Sequence, residues 1–195
     1  MDTTSRAWTD PQAPTAAGPR YDRVAIALHW LIGLALLGQI AFGFMLDDIA
    51  PRGTPARSAT INLHKSFGMV LGVLIVARLA WRWRHPPPPW PAAMPPWQRT
   101  AATLGHRALY AAMLVMPLAG YTASNFSKHG IKFFGVPLAP WGPDLPAVYA
   151  AFNSVHVATA FVLAALIAGH VAMALKHAIV DRDGLFARMW PASRP

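Results

Sequence analysis

The chain of 195 residues is 54% hydrophobic and only 13% charged. This composition is too apolar for an ordinary soluble protein, and the length allows one domain of usual size. The sequence contains no cysteine, which excludes disulfides, cysteine-bound iron–sulfur clusters and the covalent attachment of a c-type haem. A metal centre in this chain therefore has to use histidine, methionine or carboxylate ligands.

Four long apolar stretches follow an N-terminal segment that has none. Residues 1–20 are rich in Pro, Ala, Thr and charge, which predicts a disordered cytoplasmic tail and no cleavable signal. Each later stretch reaches the ~20 residues that a bilayer core requires. We predict an all-α fold, an integral membrane four-helix bundle over residues 21–195. The stretches run from Val24 to Leu46, Ile61 to Trp81, Leu104 to Ala123 and Val148 to Leu175.

Three loops with different compositions connect these stretches. The first, Asp47 to Thr60, predicts a short extracytoplasmic connection. The second, Arg84 to Gln98, contains a proline run that favours an extended cytoplasmic strap. The third, Ser124 to Pro146, is the longest, and its aromatic residues favour folding onto the outer membrane face. Pro117, inside the third stretch, predicts a bend in that helix.

We attribute the formal net charge of +9 to cations that set the membrane topology, and not to a surface that binds nucleic acid. The cations lie at the ends of apolar stretches and form no basic face. By the positive-inside rule, the richer side is cytoplasmic and holds both termini. That side carries Arg6, Arg20, Arg23, Arg82, Arg84, Arg99, Arg107, Lys176, Arg182, Arg188 and Arg194, and the other side carries Arg52, Arg57, Lys65, Lys128 and Lys132.

Four histidines lie within or at the edge of the apolar stretches: His29, His64, His156 and His170. Ionisable groups at such depths are costly and are candidates for function. His156 and His170 are fourteen residues apart, so they differ by about 40° around the helix and by about 21 Å along it. One face of the fourth helix therefore presents one histidine near each side of the membrane.

The topology supplies a partner for each of these two histidines. His29 lies near the cytoplasmic start of the first helix and can meet His170. His64 opens the second helix on the outer side and can meet His156. Two pairs at two depths suit two b-type haems, with each iron bound by one imidazole from either side. Zinc or copper is the competing ligand, but zinc prefers four clustered ligands.

Further residues are candidates for contacts with these cofactors. Arg78 shares the face of His64 about 21 Å further in, where it could pair with haem propionates or extend to the inner interface. Gly68 and Gly72 could admit a porphyrin or serve helix packing. His106 could touch a propionate or a substrate, or be an interfacial histidine without a role.

The remaining histidines lie nearer the surface. His177 is two turns beyond His170, beside Lys176 and Asp181, where an imidazole could take part in proton-coupled chemistry or have no role. His85 and His129 lie in loops and are predicted to be solvated.

Five stretches together resemble the bacterial di-haem cytochrome b561 family over nearly all of residues 21–191. Each stretch alone is weak evidence for the family, but the order and the spacing of all five make the resemblance specific. They are Tyr21 to Leu31, His64 to Gly68, Arg78 to Pro89, Leu104 to Gly120 and Gly169 to Pro191.

The resemblance implies that His29 with His170, and His64 with His156, are the axial ligands of two non-covalent haems. It also implies a multi-pass protein of the bacterial inner membrane that exchanges electrons with ubiquinone. In well-understood members a quinone binds on the cytoplasmic side near the histidine that matches His177, and electrons arrive from periplasmic superoxide.

These expectations leave three functions open. The first is a quinone-linked oxidoreductase that passes electrons from an extracytoplasmic donor, such as superoxide, to ubiquinone. The second is a cytochrome b anchor subunit that relays electrons for a partner dehydrogenase or soluble cytochrome. The third is a haem-free bundle for metal transport.

Overall fold

The structure, a computed structural model, describes residues 19–191, so the predicted tail lies outside the described residues except for its last two. Four long helices, one short helix and a two-stranded hairpin make up the fold of this part of the chain. In order they are α1 (Arg23–Phe44), α2 (Leu46–Ile49), α3 (Ala56–Arg84), α4 (Pro96–Asn125), β1 (Ile131–Phe133), β2 (Val136–Leu138) and α5 (Pro146–Leu175), followed by a π-helical turn (Lys176–Asp181) and a 3-10 turn (Phe186–Arg188).

All four apolar stretches form long helices, as predicted, but the helices are longer than the stretches at most ends. The second begins at Ala56 and not at Ile61, and therefore takes over part of the predicted first loop. Hydropathy marks only the apolar part of a helix, whereas hydrogen bonding continues into polar turns. The proline-rich strap separates α3 from α4 without a helix, because proline lacks the N–H that a helix interior needs.

Three helices in the described part of the chain are long and apolar enough to cross a membrane. They are α1, α3 and the continuous helix Pro146–Asp181. The α4 helix is long enough but is not among them, because Arg99, Arg107, Ser124 and Asn125 make its ends polar. The described part of the chain thus contains four long helices, of which hydropathy identifies three as membrane helices, so the prediction of four membrane spans is met only in part.

The four long helices pack in the order α1, α3, α4, α5. A core at mid-length joins side chains from all of them. The backbones of α1 and α5 do not pack closely in the described structure, and side chains such as Phe44 and Phe161, with ring centroids 5.0 Å apart, meet between them. Large apolar side chains elsewhere point outward, as expected for a surface that faces lipid. The buried core residues are Ile32, Leu36, Leu71, Ile75, Ala112, Met113, Met116 and Leu163.

The segment after α5 closes the end of the bundle that contains the start of α1. The indole N–H of Trp30 donates to the Met189 carbonyl at 2.7 Å. The Arg188 guanidinium donates to the carbonyl of Pro89 in the strap at 2.7 Å, while the Arg188 carbonyl accepts from Tyr21 N–H at 3.3 Å. Hydrogen bonds from Tyr21 before α1, from Trp30 within α1 and to Pro89 in the strap therefore tie the C-terminal segment to this end of the bundle.

The Arg57 side chain fastens the connection between α1 and α3. Its Nη1 donates to the carbonyls of Leu46 and Ala50 at 2.8 Å each, and its Nη2 lies 2.7 Å from a carboxylate oxygen of Asp47. The Leu46 carbonyl also accepts from the Ala50 N–H at 3.1 Å, whereas the Ala50 carbonyl follows the last turn of α2, where helix carbonyls lack an intrahelical partner. Arg57 therefore satisfies polar groups that would otherwise compete for water.

Replacing Arg57 with alanine is expected to destabilise the protein by about 1–3 kcal/mol, since hydrogen bonds to a charged donor contribute about that much. The measurement is thermal unfolding in detergent. Arg52→Ala is the matched control, because the Arg52 side chain is 84% exposed and its contact with Asp47 is 3.8 Å long. An equal loss of stability in both variants would show that Arg57 does not fasten this connection.

The third loop contains a β-hairpin that the sequence analysis did not predict. Its turn residues Phe134 and Gly135 have φ angles of 45° and 93°, as a two-residue hairpin turn requires. The hairpin lies on the start of α3: the Phe134 N–H donates to Ser66 Oγ at 2.9 Å, and the Lys132 N–H donates to Asn62 Oδ1 at 2.8 Å. The loop is therefore an ordered cap on the end of the bundle that contains His64.

Candidate cofactor-binding site

Two histidine pairs face each other between α5 and its neighbours. The rings of His29 on α1 and His170 on α5 have centroids 6.1 Å apart. The rings of His64 on α3 and His156 on α5 also have centroids 6.1 Å apart. The structure thus brings together the two pairs that spacing predicted. We call them the inner pair and the outer pair.

The separation within each pair suits one metal ion between two imidazoles. A bond from a transition metal to an imidazole nitrogen is about 2 Å long, and that nitrogen is about 1 Å from the ring centre. Two imidazoles on opposite sides of one ion therefore have centroids about 6 Å apart, close to the 6.1 Å of each pair. A haem ligated by two histidines would have this arrangement of imidazoles.

The hydrogen bonds of His156 leave one ring nitrogen available as a ligand. Nδ1 of His156 lies 2.8 Å from the Met116 carbonyl oxygen, which can only accept. Nδ1 therefore carries the proton, and Nε2 keeps its lone pair. A carbonyl in this position also fixes the orientation of the ring, as is usual for histidines that bind metals.

Its partner His64 is held by a buried polar residue of α1. Gln39, which is 8% exposed, donates from Nε2 to the His64 carbonyl oxygen at 2.6 Å and lies 3.2 Å from His64 Nδ1. The sequence analysis missed Gln39. A polar side chain amid the apolar residues of a membrane helix was a signal that could have revealed it.

Two glycines lie directly against the rings of the outer pair. A Cβ atom on Gly43 would come within 3.1 Å of His64, and one on Gly120 within 2.8 Å of His156 Nδ1. Neither glycine was singled out from the sequence. Gly68 and Gly72, which were, approach Gln39 and Pro117 instead, so their contacts in this structure are those of helix packing.

Arg78 lies at the inner pair, the level that the sequence predicted. Its Nη2 is 2.9 Å from Nδ1 of His29, and its Nε donates to the Tyr110 hydroxyl at 3.2 Å. The guanidinium groups of Arg78 and Arg82 lie 5.7 and 5.5 Å from the centre of the Tyr110 ring. Two cations and a hydroxyl thus converge beside the inner pair, where they can bind an anionic group.

His106 adds a third imidazole at the inner level. Its ring centroid lies 5.4 Å from that of His170, and its Nδ1 is 2.7 Å from the Ala102 carbonyl oxygen. The loop histidines have other surroundings. His85 is exposed and stacks on Trp81 with centroids 4.0 Å apart, and His129 is exposed in the third loop.

The π-helical turn places His177 among carboxylates. Nδ1 of His177 lies 2.6 Å from Asp183 Oδ2 and 3.2 Å from Asp181 Oδ2. His177 and Lys176 both lie near Asp181, as their positions in the sequence indicated, and the chain follows a wider, π-helical turn from Lys176 onward. Such π-helical turns occur often at functional sites. The structure thereby adds Asp183, which the sequence analysis did not single out.

Asp22 caps α1 at the same end of the bundle. Slight burial acts to raise the pKa of its carboxyl, but hydrogen bonds from the Ala25 N–H and the Trp81 indole outweigh this and lower the pKa. A lowered pKa means that the cap stabilises the folded protein at neutral pH. That contribution is lost as the pH falls through the pKa of the folded protein.

A helical membrane bundle with imidazoles facing each other in pairs defines the class of membrane b-type cytochromes. The family model described as prokaryotic cytochrome b561 matches residues 20–192. The chain belongs to this family, as the resemblance of its motifs predicted.

Three curated proteins illustrate its relatives. The chain is 32% identical over 173 residues to Cytochrome b561 homolog 2 of Escherichia coli (strain K12), across 87% of this chain and 90% of that protein. It is 29% identical over 173 residues to Cytochrome b561 homolog 1 of the same organism, across 88% and 97% of the two chains. It is 27% identical over 181 residues to Probable superoxide oxidase CybB of Yersinia pestis, across 90% and 98%.

Proposed function

We propose that the protein holds two non-covalent b-type haems and carries electrons between an extracytoplasmic donor and ubiquinone in the bacterial inner membrane. His29 and His170 are the proposed ligands of the inner haem, and His64 and His156 those of the outer haem. The observation that carries this proposal is the pair of 6.1 Å ring separations. By helix geometry, the two levels are about 21 Å apart along α5.

The ligand set restricts the chemistry. A haem ligated by two imidazoles would supply reversible one-electron transfer and would leave no open position for oxygen. The residues of this chain then have to orient the imidazoles and balance charge. The Met116 carbonyl and Gln39 orient the outer pair, while Arg78, whose guanidinium contacts His29, would neutralise a propionate beside the inner pair.

Superoxide is the donor we propose for the outer side. The name of the Yersinia pestis relative suggests it, and two lysines of the third loop support it. Lys128 and Lys132 are exposed, whereas Arg57 and Lys65 donate to backbone carbonyls. Exposed cations raise the local concentration of a small anion. In the balanced reaction, two superoxide ions, one ubiquinone and two protons become two oxygen molecules and one ubiquinol.

Ubiquinone is proposed to react at the cytoplasmic end, beside His177. An imidazole there can pass protons between water and a quinone oxygen. Reduction of one ubiquinone to ubiquinol takes two electrons and two protons in all, and His177 would pass the protons. Tyr110 and His106 line the same end of the bundle and complete the polar surroundings of the inner pair.

One preparation of purified protein tests both parts of the proposal. A reduced-minus-oxidised spectrum with haem quantification is expected to give two b-type haems per chain, and fewer than two would contradict the ligand assignment. Superoxide mixed with short-chain ubiquinone and the protein is expected to form ubiquinol faster than without protein. If no acceleration is seen and a membrane partner co-purifies, the anchor function is favoured instead.

Replacing Gly120 with alanine is expected to halve the haem content by emptying the outer site. The new Cβ would come within 2.8 Å of His156 Nδ1, which has to move and lose its bond to Met116. Gly105→Ala is the matched control on α4, since a Cβ there would meet nothing within 4 Å. Haem content per chain is the measurement, and a full complement in Gly120→Ala would refute the assigned geometry.

A further inference from the structure

The carboxylate of Asp183 is held in place from two sides. Its Oδ1 accepts from the Leu185 N–H at 3.0 Å, and its Oδ2 lies 2.6 Å from Nδ1 of His177. Between the two partners the chain turns sharply, with Arg182 in the left-handed region at a φ of 49°. A residue other than glycine adopts this conformation at an energetic cost, which the surrounding contacts have to offset. The turn therefore fixes Asp183 against His177.

The second carboxylate near His177 has a different partner. Asp181 Oδ1 lies 2.7 Å from Lys176 Nζ, so its charge is largely balanced by the ammonium group. Asp181 is also further from the imidazole, at 3.2 Å against 2.6 Å for Asp183. The geometry therefore assigns Asp181 to Lys176 and Asp183 to His177.

The two partners of this pair differ in their exposure to water. The His177 side chain is 11% exposed and the Asp183 side chain 32% exposed, so the carboxylate is the more open to water. An ionised carboxylate can only accept, and therefore a hydrogen bond at 2.6 Å requires the proton on Nδ1 of His177. Nε2, the other ring nitrogen, is then the one that can accept and release a proton.

We propose that Asp183 is a positioning residue for quinone chemistry: it holds the Nδ1 proton of His177 so that Nε2 exchanges protons with the bound ubiquinone. This inference rests on the proposed function. For each ubiquinone, two electrons and two protons are taken up. Nε2 takes a proton from cytoplasmic water, the carboxylate of Asp183 stabilises the imidazolium ion, and Nε2 then gives the proton to a quinone oxygen.

The test compares Asp183→Asn with wild type in two measurements. The first is the rate at which short-chain ubiquinone reoxidises the pre-reduced protein, which is expected to fall about tenfold or more, as for loss of general acid–base catalysis. The second is the tautomer of His177, read from ¹⁵N chemical shifts of histidine-labelled protein. An asparagine amide can donate to Nδ1, so the proton is expected to move to Nε2.

Controls separate positioning from a structural effect. Asp181→Asn is expected to lower the rate less than threefold, and Asp183→Glu to restore part of the rate lost in Asp183→Asn. The haem spectrum is expected to be unchanged in all three variants. An unchanged rate and tautomer in Asp183→Asn would overturn the inference while the proposed function stands. If ubiquinone fails to reoxidise the wild-type protein, it is the proposed function that fails.

Discussion

Alanine substitutions of the four paired histidines are expected to divide into two groups by which haem is lost. His29→Ala and His170→Ala each remove one ligand of the inner pair, while His64→Ala and His156→Ala each remove one of the outer pair. A planar haem held by one imidazole instead of two loses a metal–ligand bond and is expected to dissociate during purification. Each variant is therefore expected to keep one haem per chain.

The measurement is haem content together with low-temperature spectra or a redox titration that separates the two haems. Within a group the two variants are expected to retain the same haem, and between groups different ones. His129→Ala is the control, because the His129 side chain is exposed in the third loop and belongs to neither pair. Loss of the same haem from all four variants would overturn the pairing.

Reversing the charges of Lys128 and Lys132 to glutamate is expected to slow the reaction with superoxide by about tenfold or more. Electrostatic steering changes association rates by about 10–10³-fold and weakens as salt is added. The reduction of the haems by superoxide should therefore fall most at low ionic strength. The rate of reoxidation by ubiquinone should not change, because the substituted lysines lie in the third loop and not at the end of the bundle proposed for ubiquinone.

Arg84→Glu is the matched control, since it reverses an exposed charge at the other end of α3. It is expected to leave the superoxide rate within about twofold of wild type, because screening limits the reach of exposed charges to about 10 Å. If the double variant and the control behave alike, net charge and not a local field determines the rate. If neither differs from wild type, steering by the third loop is excluded.

The helices and the pairing of the histidines were predictable because both depend on local periodicity. A run of apolar residues long enough for a bilayer predicts a helix wherever it occurs. The fourteen residues between His156 and His170 place both side chains on one face whatever surrounds them. Order along the chain then places His29 and His64 at the matching depths, although His106 also lies at the inner level, with its ring centroid 5.4 Å from that of His170.

The hairpin and the π-helical turn were not predictable to the same degree. The turn residues Phe134 and Gly135 carry only part of the usual hairpin signal, because asparagine or aspartate before glycine is the strong form. The π-helical turn depends on one extra residue per turn, which leaves no periodic pattern in a segment of six residues. Asp183 therefore could not be placed beside His177 from spacing.

The sequence by itself determined the family, the long helices and the two depths at which imidazoles meet. Only the tertiary structure decided that Gly43 and Gly120 lie against the outer rings, that Gln39 and the Met116 carbonyl hold them, and that Arg78 contacts His29. The physical reason is that a residue's depth and face follow from the geometry of its own helix, whereas its neighbours depend on how far each helix is rotated and shifted against the next.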